Sequence, residues 1–216
     1  MSILYIVATP IGNREDITLR ALRVLGEVDV IYCEDTRVTR KLLLYHKIDK
    51  PLKIYHEHTQ APDLLRYESI AYVSDAGTPG VSDPGARLVQ AASEQGLEVI
   101  PIPGPSALAT LLSVAGVGET DFTFLGFLPH KKGRQTLLKE IGQAKRSYVV
   151  YEAPSRIARL FRELGEHCGP DRRLVVGREL TKMFEEVWQG TAVEATQYFV
   201  GDHARGEFAV IVNPRQ

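Results

Sequence analysis

The first half of the chain alternates short runs that are apolar on both faces with longer stretches of helical periodicity, and this alternation leaves few architectures open. Leu4 to Ala8, Val28 to Cys33, Leu52 to Tyr55, Ile70 to Ser74 and Leu97 to Ile102 read as strands. Ile17, Leu19, Leu22, Val24 and Leu25 approximate one helical stripe; Ala86, Leu88, Val89 and Ala92 form another, stopped by Gly96. A strand without a polar face must be covered on both sides, and strands joined through helices run parallel. The pattern therefore predicts an α/β unit built on a mostly parallel sheet.

After the helix-like Ser106 to Ala115 comes a small polar interruption, Gly116-Val117-Gly118-Glu119-Thr120-Asp121, which sets a boundary between domains 1–117 and 121–216. The pattern then restarts with a strand at Phe122 to Leu128, a helix at Arg134 to Ala144, a strand at Tyr148 to Tyr151 and a helix at Ser155 to Leu164. Strands at Leu174 to Val176, Glu186 to Gln189 and Phe208 to Val212 complete a second α/β layer with a mixed sheet. A chain of 216 residues is long enough for two such units.

Lys and Arg number 26 against 27 Asp and Glu, so no overall basic field exists to gather nucleic acid, and any site for a polyanion must be local. One stretch qualifies. From Pro129 to Arg162, nine Lys or Arg residues face only Glu140 and Glu152, a balance of nine minus two, or +7. Such a run reads either as a phosphate-facing patch or as solvated helix faces. Cys33 and Cys168 are too few for a disulfide framework, and no His/Cys cluster has zinc-ligand spacing, which predicts no metal and a reducing, cytoplasmic compartment. The apolar stretch from Ile3 to Ala8 is too short for a signal-peptide core, and no segment approaches the ~20 apolar residues of a membrane span.

Three loops rich in glycine and proline each follow a predicted strand: Thr9-Pro10-Ile11-Gly12-Asn13, Asp75-Ala76-Gly77-Thr78-Pro79-Gly80 and Pro103-Gly104-Pro105-Ser106. In an open parallel sheet all three emerge at the carboxyl edge, where such sheets bind ligands, and would line one crevice. Glycine lets backbone approach a guest closely, and proline leaves rigid carbonyls facing it, which suits a cofactor carrying positive charge. The first loop has neither the spaced glycines and terminal Lys-Ser/Thr of a Walker loop nor the G-x-G-x-x-G of a dinucleotide-binding loop. Asp75 reads either as an acceptor for a ligand amino group or as a cap of its own turn, whereas Asp83 before Pro84 reads as structural.

The runs Leu4-Tyr-Ile-Val-Ala-Thr-Pro-Ile-Gly-Asn13, Glu34-Asp-Thr-Arg37, Tyr55-His-Glu-His58, Val73-Ser-Asp-Ala-Gly-Thr-Pro-Gly-Val-Ser-Asp-Pro-Gly85, Pro101-Ile-Pro-Gly-Pro-Ser-Ala107, Gly126-Phe-Leu-Pro129, Tyr151-Glu-Ala-Pro-Ser-Arg156 and Arg178-Glu-Leu-Thr-Lys182 closely resemble the ribosomal RNA small-subunit methyltransferase I family of the tetrapyrrole methylase superfamily. The resemblance covers essentially the whole chain in order. It implies a two-domain class III methyltransferase fold, usually a homodimer, with S-adenosylmethionine between the domains and the ribose 2′-oxygen of a 16S rRNA cytidine as acceptor. It assigns cofactor contacts to Pro10, Asp75, Thr78, Ser106 and Ala107, with Glu152, Ala153, Leu180 and Phe208 as neighbours from the second domain. Family members commonly continue beyond the position of Gln216, and the segment between Glu57 and Ile70 looks shorter than the family's.

Methyl transfer from a sulfonium is an in-line displacement that rewards positioning, and a carboxylate or imidazole accepting the hydroxyl proton assists it. Candidates for that base are His56, Glu57 and His58, with Glu34 and Asp35 similarly situated at a strand end; the alternative is a polar strand end bonded to neighbouring loops. Arg37 and Arg40 lie one helical turn apart and read as a phosphate clamp or a surface ion pair. With Lys131, Lys132, Arg134, Arg156, Arg178 and Lys182 they would form the positive rim that RNA requires, while Phe127 and Tyr151 are either base-stacking platforms or core. The rival readings are a tetrapyrrole methylase acting on an apolar planar substrate and a non-catalytic RNA-binding assembly factor of the same fold.

Overall fold

The computed structural model describes residues 2–56, 62–116 and 121–215. The chain forms two compact units, Met1–Ser106 and Ala107–Gln216.

In the first unit, strands β1 (Ile3–Val7), β2 (Val30–Cys33), β3 (Leu52–Ile54), β4 (Ser69–Val73) and β5 (Glu98–Ile102) make a wholly parallel sheet in the order β3-β2-β4-β1-β5. Helices α1 (Leu19–Glu27), α2 (Thr36–Tyr45) and α3 (Gly85–Glu94) provide three of the crossovers. All four residues of β2 are buried, because alternate side chains feed two different cores. Ile31 and Cys33 join Val7, Ala71 and Val73 beneath Val24 and Leu25 of α1 and Leu43 of α2. Val30 and Tyr32 join Leu4, Ile70 and Tyr72 beneath Leu88 and Ala92 of α3. Pro101 is tolerated because β5 is an edge strand, bonded only to β1.

The second unit begins with α4 (Ala107–Val114), so the division falls ahead of this helix rather than at the polar 116–121 interruption. Packing explains the grouping. The Leu108 N–H donates to the Tyr151 hydroxyl at 2.9 Å, and a Cβ on Gly177 would meet Leu111 Cδ1 at 2.9 Å. Strands β6 (Phe122–Phe127), β7 (Ser147–Glu152), β8 (Arg173–Arg178), β9 (Glu186–Thr191) and β10 (Phe208–Val212) form a mixed sheet in the order β6-β7-β10-β8-β9, with only β6 and β7 parallel. Edge strand β6 carries a bulge between Phe124 and Gly126, the latter at φ +61°.

Helices α5 (Arg134–Gln143), α6 (Pro154–Cys168) and α7 (Ala192–Tyr198) cover one face of that sheet. Leu138, Ile141, Ile157, Leu160, Phe161, Leu164 and Phe199 pack there on Tyr148, Val150, Val176 and Val210. Helices α5 and α6 approach so closely that a Cβ on Gly142 would overlap the His167 carbonyl oxygen. Gly142→Ala should therefore cost about 1–3 kcal/mol of stability, the usual penalty for overpacking, measurable as a lower urea midpoint at unchanged m-value.

Candidate active site

The three proline-rich loops of the first unit are joined to one another by hydrogen bonds. Thr9 and Gly77 exchange both backbone bonds, at 2.9 and 3.0 Å, in an isolated antiparallel bridge that ties the loop after β1 to the loop after β4. The Thr9 hydroxyl also donates to the Ser74 carbonyl at 3.3 Å. The Thr78 hydroxyl donates to the Pro105 carbonyl at 2.9 Å and so ties the loop after β4 to the loop after β5. Gly77 makes this possible by adopting φ +81°, where a Cβ would also press on Ile11 at 3.3 Å. Gly104 lies so close to β1 that a Cβ there would fall 2.9 Å from the Cβ of Ala8. Pro10, Asp75, Thr78 and Ser106 thus lie on loops gathered at the carboxyl edge of the first sheet.

At the same edge the ends of β2 and β4 exchange hydrogen bonds through their carboxylates. The Asp35 N–H donates to Asp75 Oδ1 at 3.0 Å, and the Asp75 N–H donates to Glu34 Oε1 at 3.2 Å. Burial pushes the Asp75 carboxyl above its ordinary range, against the pull of the Asp35 N–H bond and only weakly helped by the Asp35 charge. Glu34 is raised as well by burial, which outweighs the lowering pull of the Asp75 N–H; the charges of Asp75 and Asp83 add smaller upward pushes. Asp35 behaves oppositely: its bonds to the Arg37 side chain and backbone hold it at about 2. Asp83 is structural, accepting from Gly80 N–H at 2.8 Å and from Gly85 N–H at 2.8 Å. Asp75 does not simply cap its own turn, since its carboxylate accepts from the neighbouring strand end. His56 is exposed just past β3, while Glu57 and His58 lie outside the described residues.

In the second unit, Ala153 precedes α6, whose first residue is Pro154. Leu180 is buried in the turn after β8, between Glu179 at φ +49° and Thr181 at φ +66°. Glu152 and Phe208 are committed to the interior. Phe208 packs edge-on against Phe199 at 5.6 Å. Glu152 is 1% exposed and takes Arg156 at 2.6 Å, Arg134 at 3.4 Å and the Ala153 N–H at 3.0 Å.

A profile of the Tetrapyrrole (Corrin/Porphyrin) Methylases matches residues 3–196, nearly the whole of both units. The chain belongs to the tetrapyrrole methylase family. Within that family it groups with proteins named ribosomal RNA small subunit methyltransferase I. One, from Synechocystis, is 46% identical over 98% of this chain and 79% of its own length. Another, from Thermotoga maritima, is 41% identical over 100% of both chains. A third, from Coprothermobacter proteolyticus, is 44% identical over 99% of this chain and 98% of its own length. Among solved structures, a uroporphyrin-III-C-methyltransferase from Thermus thermophilus aligns over 99% of this chain and 94% of its own, with TM-score 0.68 and 19% identity. A putative diphthine synthase from Entamoeba histolytica aligns over 100% of this chain and 94% of its own, with TM-score 0.72 and 16% identity. These two likenesses are of fold.

The methylase's cations divide into two kinds. Arg134 does not belong to an RNA-facing rim: it is 1% exposed, and its Nε donates to Glu163 Oε2 at 2.7 Å. Arg156 is bound to Glu152 and lies 3.0 Å from the His130 ring, and Arg159 pairs with Glu163 at 2.9 Å. Arg178 is spent on the Arg205 and Asp202 carbonyls at 2.6 and 3.0 Å, and Lys182 bridges Glu179 and Glu207 at 2.8 Å each. Lys131 and Lys132 stand exposed ahead of α5, and Arg37 and Arg40 are exposed on α2, with Arg37 paired to Asp35. Tyr151 pins the start of α4 through its hydroxyl, whereas Phe127 is 53% exposed. Sequence reasoning missed Glu163, although Arg159 and Glu163 have the i, i+4 spacing that signals a helix pair.

Proposed function

We propose that this chain transfers a methyl group from S-adenosylmethionine to the ribose 2′-oxygen of a cytidine in 16S rRNA, acting in the cytoplasm as a homodimer. The observation that carries the reading is the match to small-subunit rRNA methyltransferases at 41–46% identity across nearly the full chain. The loop geometry supports it.

The residues at the carboxyl edge fit a sulfonium nucleoside. Asp75 is an exposed carboxylate whose pKa is nonetheless raised, so its charge gains from a cationic partner, and Gly80, at φ +87° with open space where a Cβ would stand, lets a guest approach the backbone. When bound, S-adenosylmethionine supplies an electrophilic methyl group on a positively charged sulfur. Pro10, Asp75, Thr78 and Ser106 are the residues of the first unit proposed to hold it. For RNA the proposed contacts are Lys131, Lys132, Arg37 and Arg40, whose charges are exposed to solvent.

The deciding experiment incubates the protein with radiolabelled S-adenosylmethionine and unmodified 30S subunits, naked 16S rRNA or a tetrapyrrole, then maps the label. Label on a cytidine ribose bears the proposal out. Label on the tetrapyrrole would replace it with the small-molecule reading, and cofactor binding without transfer would leave an assembly factor. Lys131→Glu combined with Lys132→Glu should weaken rRNA binding and flatten its log–log salt dependence by about two, one for each phosphate that no longer has a cation beside it. Calorimetric affinity for S-adenosylmethionine should stay unchanged.

A further inference from the structure

Glu34 and Tyr72 have features that the cofactor reading leaves unused. Glu34 follows β2, and its Oε1 is held by the Asp75 N–H at 3.2 Å. Among the described residues, Oε2 of Glu34 accepts no hydrogen bond. Tyr72, on neighbouring β4, is 0% exposed, and its hydroxyl is buried without a hydrogen-bond partner. A buried polar group left unpaired is costly, so its retention asks for a ligand. The hydroxyl also lies in the field of the carboxylates, since Glu34, Asp83 and Asp75 all act on its ionisation. Its ring edge abuts the turn leading into α3: a Cβ on Gly85 would fall 2.9 Å from Tyr72 Cε1 and 2.8 Å from Asp83 Oδ1. The Tyr55 ring closes the other side edge-on, at 6.0 Å. Tyr32 pairs with Tyr72 across β2 and β4 and shares its core, so Glu34, two residues on, falls on the same face of the sheet, beside the loop that carries Asp75.

We propose that Glu34 and Tyr72 form the acceptor-nucleoside subsite, with Glu34 as the base that takes the proton of the reacting ribose hydroxyl and Tyr72 as a donor to the substrate. This rests on the methyl-transfer reading above. In the step, the hydroxyl oxygen forms its bond to the methyl carbon while the carbon–sulfur bond breaks. The bonding pair leaves on sulfur as a neutral thioether, and the hydroxyl proton passes to Glu34 Oε2 and from there to solvent. Burial, against the pull of the Asp75 N–H, raises the Glu34 pKa, the direction that strengthens a carboxylate as a proton acceptor. The charges that act on it are Asp75 and Asp83, from the loop after β4, and Tyr72 and Cys33 feel its charge in turn.

The test uses the full chain with Glu34→Gln, Tyr72→Phe and His56→Ala. Glu34→Gln keeps an oxygen for the Asp75 N–H, so its Tm and calorimetric affinity for S-adenosylmethionine should match the parent. Its kcat on 30S subunits should fall by about 100-fold or more, and the acid limb of the kcat–pH profile should disappear. Tyr72→Phe sheds an unpaired hydroxyl, so its Tm should hold or rise, while the thermal shift produced by free cytidine should vanish. Parent-like kcat and acid limb in Glu34→Gln, loss of that limb in His56→Ala instead, or a cytidine shift undiminished in Tyr72→Phe would each overturn the assignment. Failure of the parent protein to label RNA would instead sink the underlying reading, and the cytidine shift reports on the subsite independently of turnover.

Discussion

Arg134→Ala is expected to cost about 3–5 kcal/mol of stability, the usual toll for breaking a buried ion pair. The reason is what the substitution leaves behind. Glu152 and Glu163 are 1% and 5% exposed, and both receive the Arg134 guanidinium, Glu163 at 2.7 Å and Glu152 at 3.4 Å. Without it, part of their charge is stranded in the interior, and the Pro129 carbonyl loses its 3.2 Å donor. Arg156 and Arg159 compensate only partly, since each reaches one carboxylate. Arg134→Lys should fall between the two, because a single ammonium cannot serve both carboxylates as the planar fork does. Arg159→Ala, whose side chain is 43% exposed, should cost no more than about 1 kcal/mol. Urea unfolding of the three variants checks the series. If Arg134→Ala keeps the parent midpoint but loses RNA affinity, the buried-network account is wrong and the arginine belongs to the interface.

Arg134 also shows where sequence reading reaches its limit. Counting charge from Pro129 to Arg162 gives a basic stretch, but the count stops one residue before Glu163, the carboxylate that pairs with two of those arginines and holds Arg134 in the interior. Linear charge density does not report which side chains the tertiary fold buries. The strands were legible for the opposite reason: β2 and β4 need apolar residues on both faces, and that demand is written contiguously. The proline-rich loops were legible as loops, but the Thr9–Gly77 bridge and the Thr78–Pro105 bond join residues far apart in the chain, and no local pattern encodes such pairings. Helix α7 was missed although Thr191 and Glu194 form a full capping box, because seven residues are too few to display a stripe. The Glu34–Asp75 exchange was half visible: both residues stood at strand ends, and only the β2–β4 adjacency made them partners.

That adjacency sets up the second large effect. Asp75→Ala should weaken S-adenosylmethionine binding by about 10- to 100-fold, the scale of one lost hydrogen bond to a charged group. Part of such a loss would be architectural, since Asp75 Oδ1 also accepts the Asp35 N–H. Asp75→Asn separates the contributions: the amide oxygen can keep that bond while the negative charge goes. If the charge meets the cationic cofactor, Asn should lose nearly as much affinity as Ala; if Asp75 only braces the loop, Asn should bind like the parent. The pH dependence gives a second handle. Burial raises the Asp75 pKa in the free protein, so the folded chain holds its proton more tightly than the unfolded chain does. Ionisation therefore costs stability as pH rises from the unfolded carboxylate value through the folded one, and that cost persists above it. A bound cation favours the ionised form and reverses the sign. Cofactor affinity should fall as pH drops through the raised pKa, with proton release on binding in that window, and both signatures should be absent from Asp75→Asn. Calorimetry in buffers of different ionisation enthalpy measures the released proton directly, and a parent protein that releases none would remove Asp75 from the cofactor's charge partners.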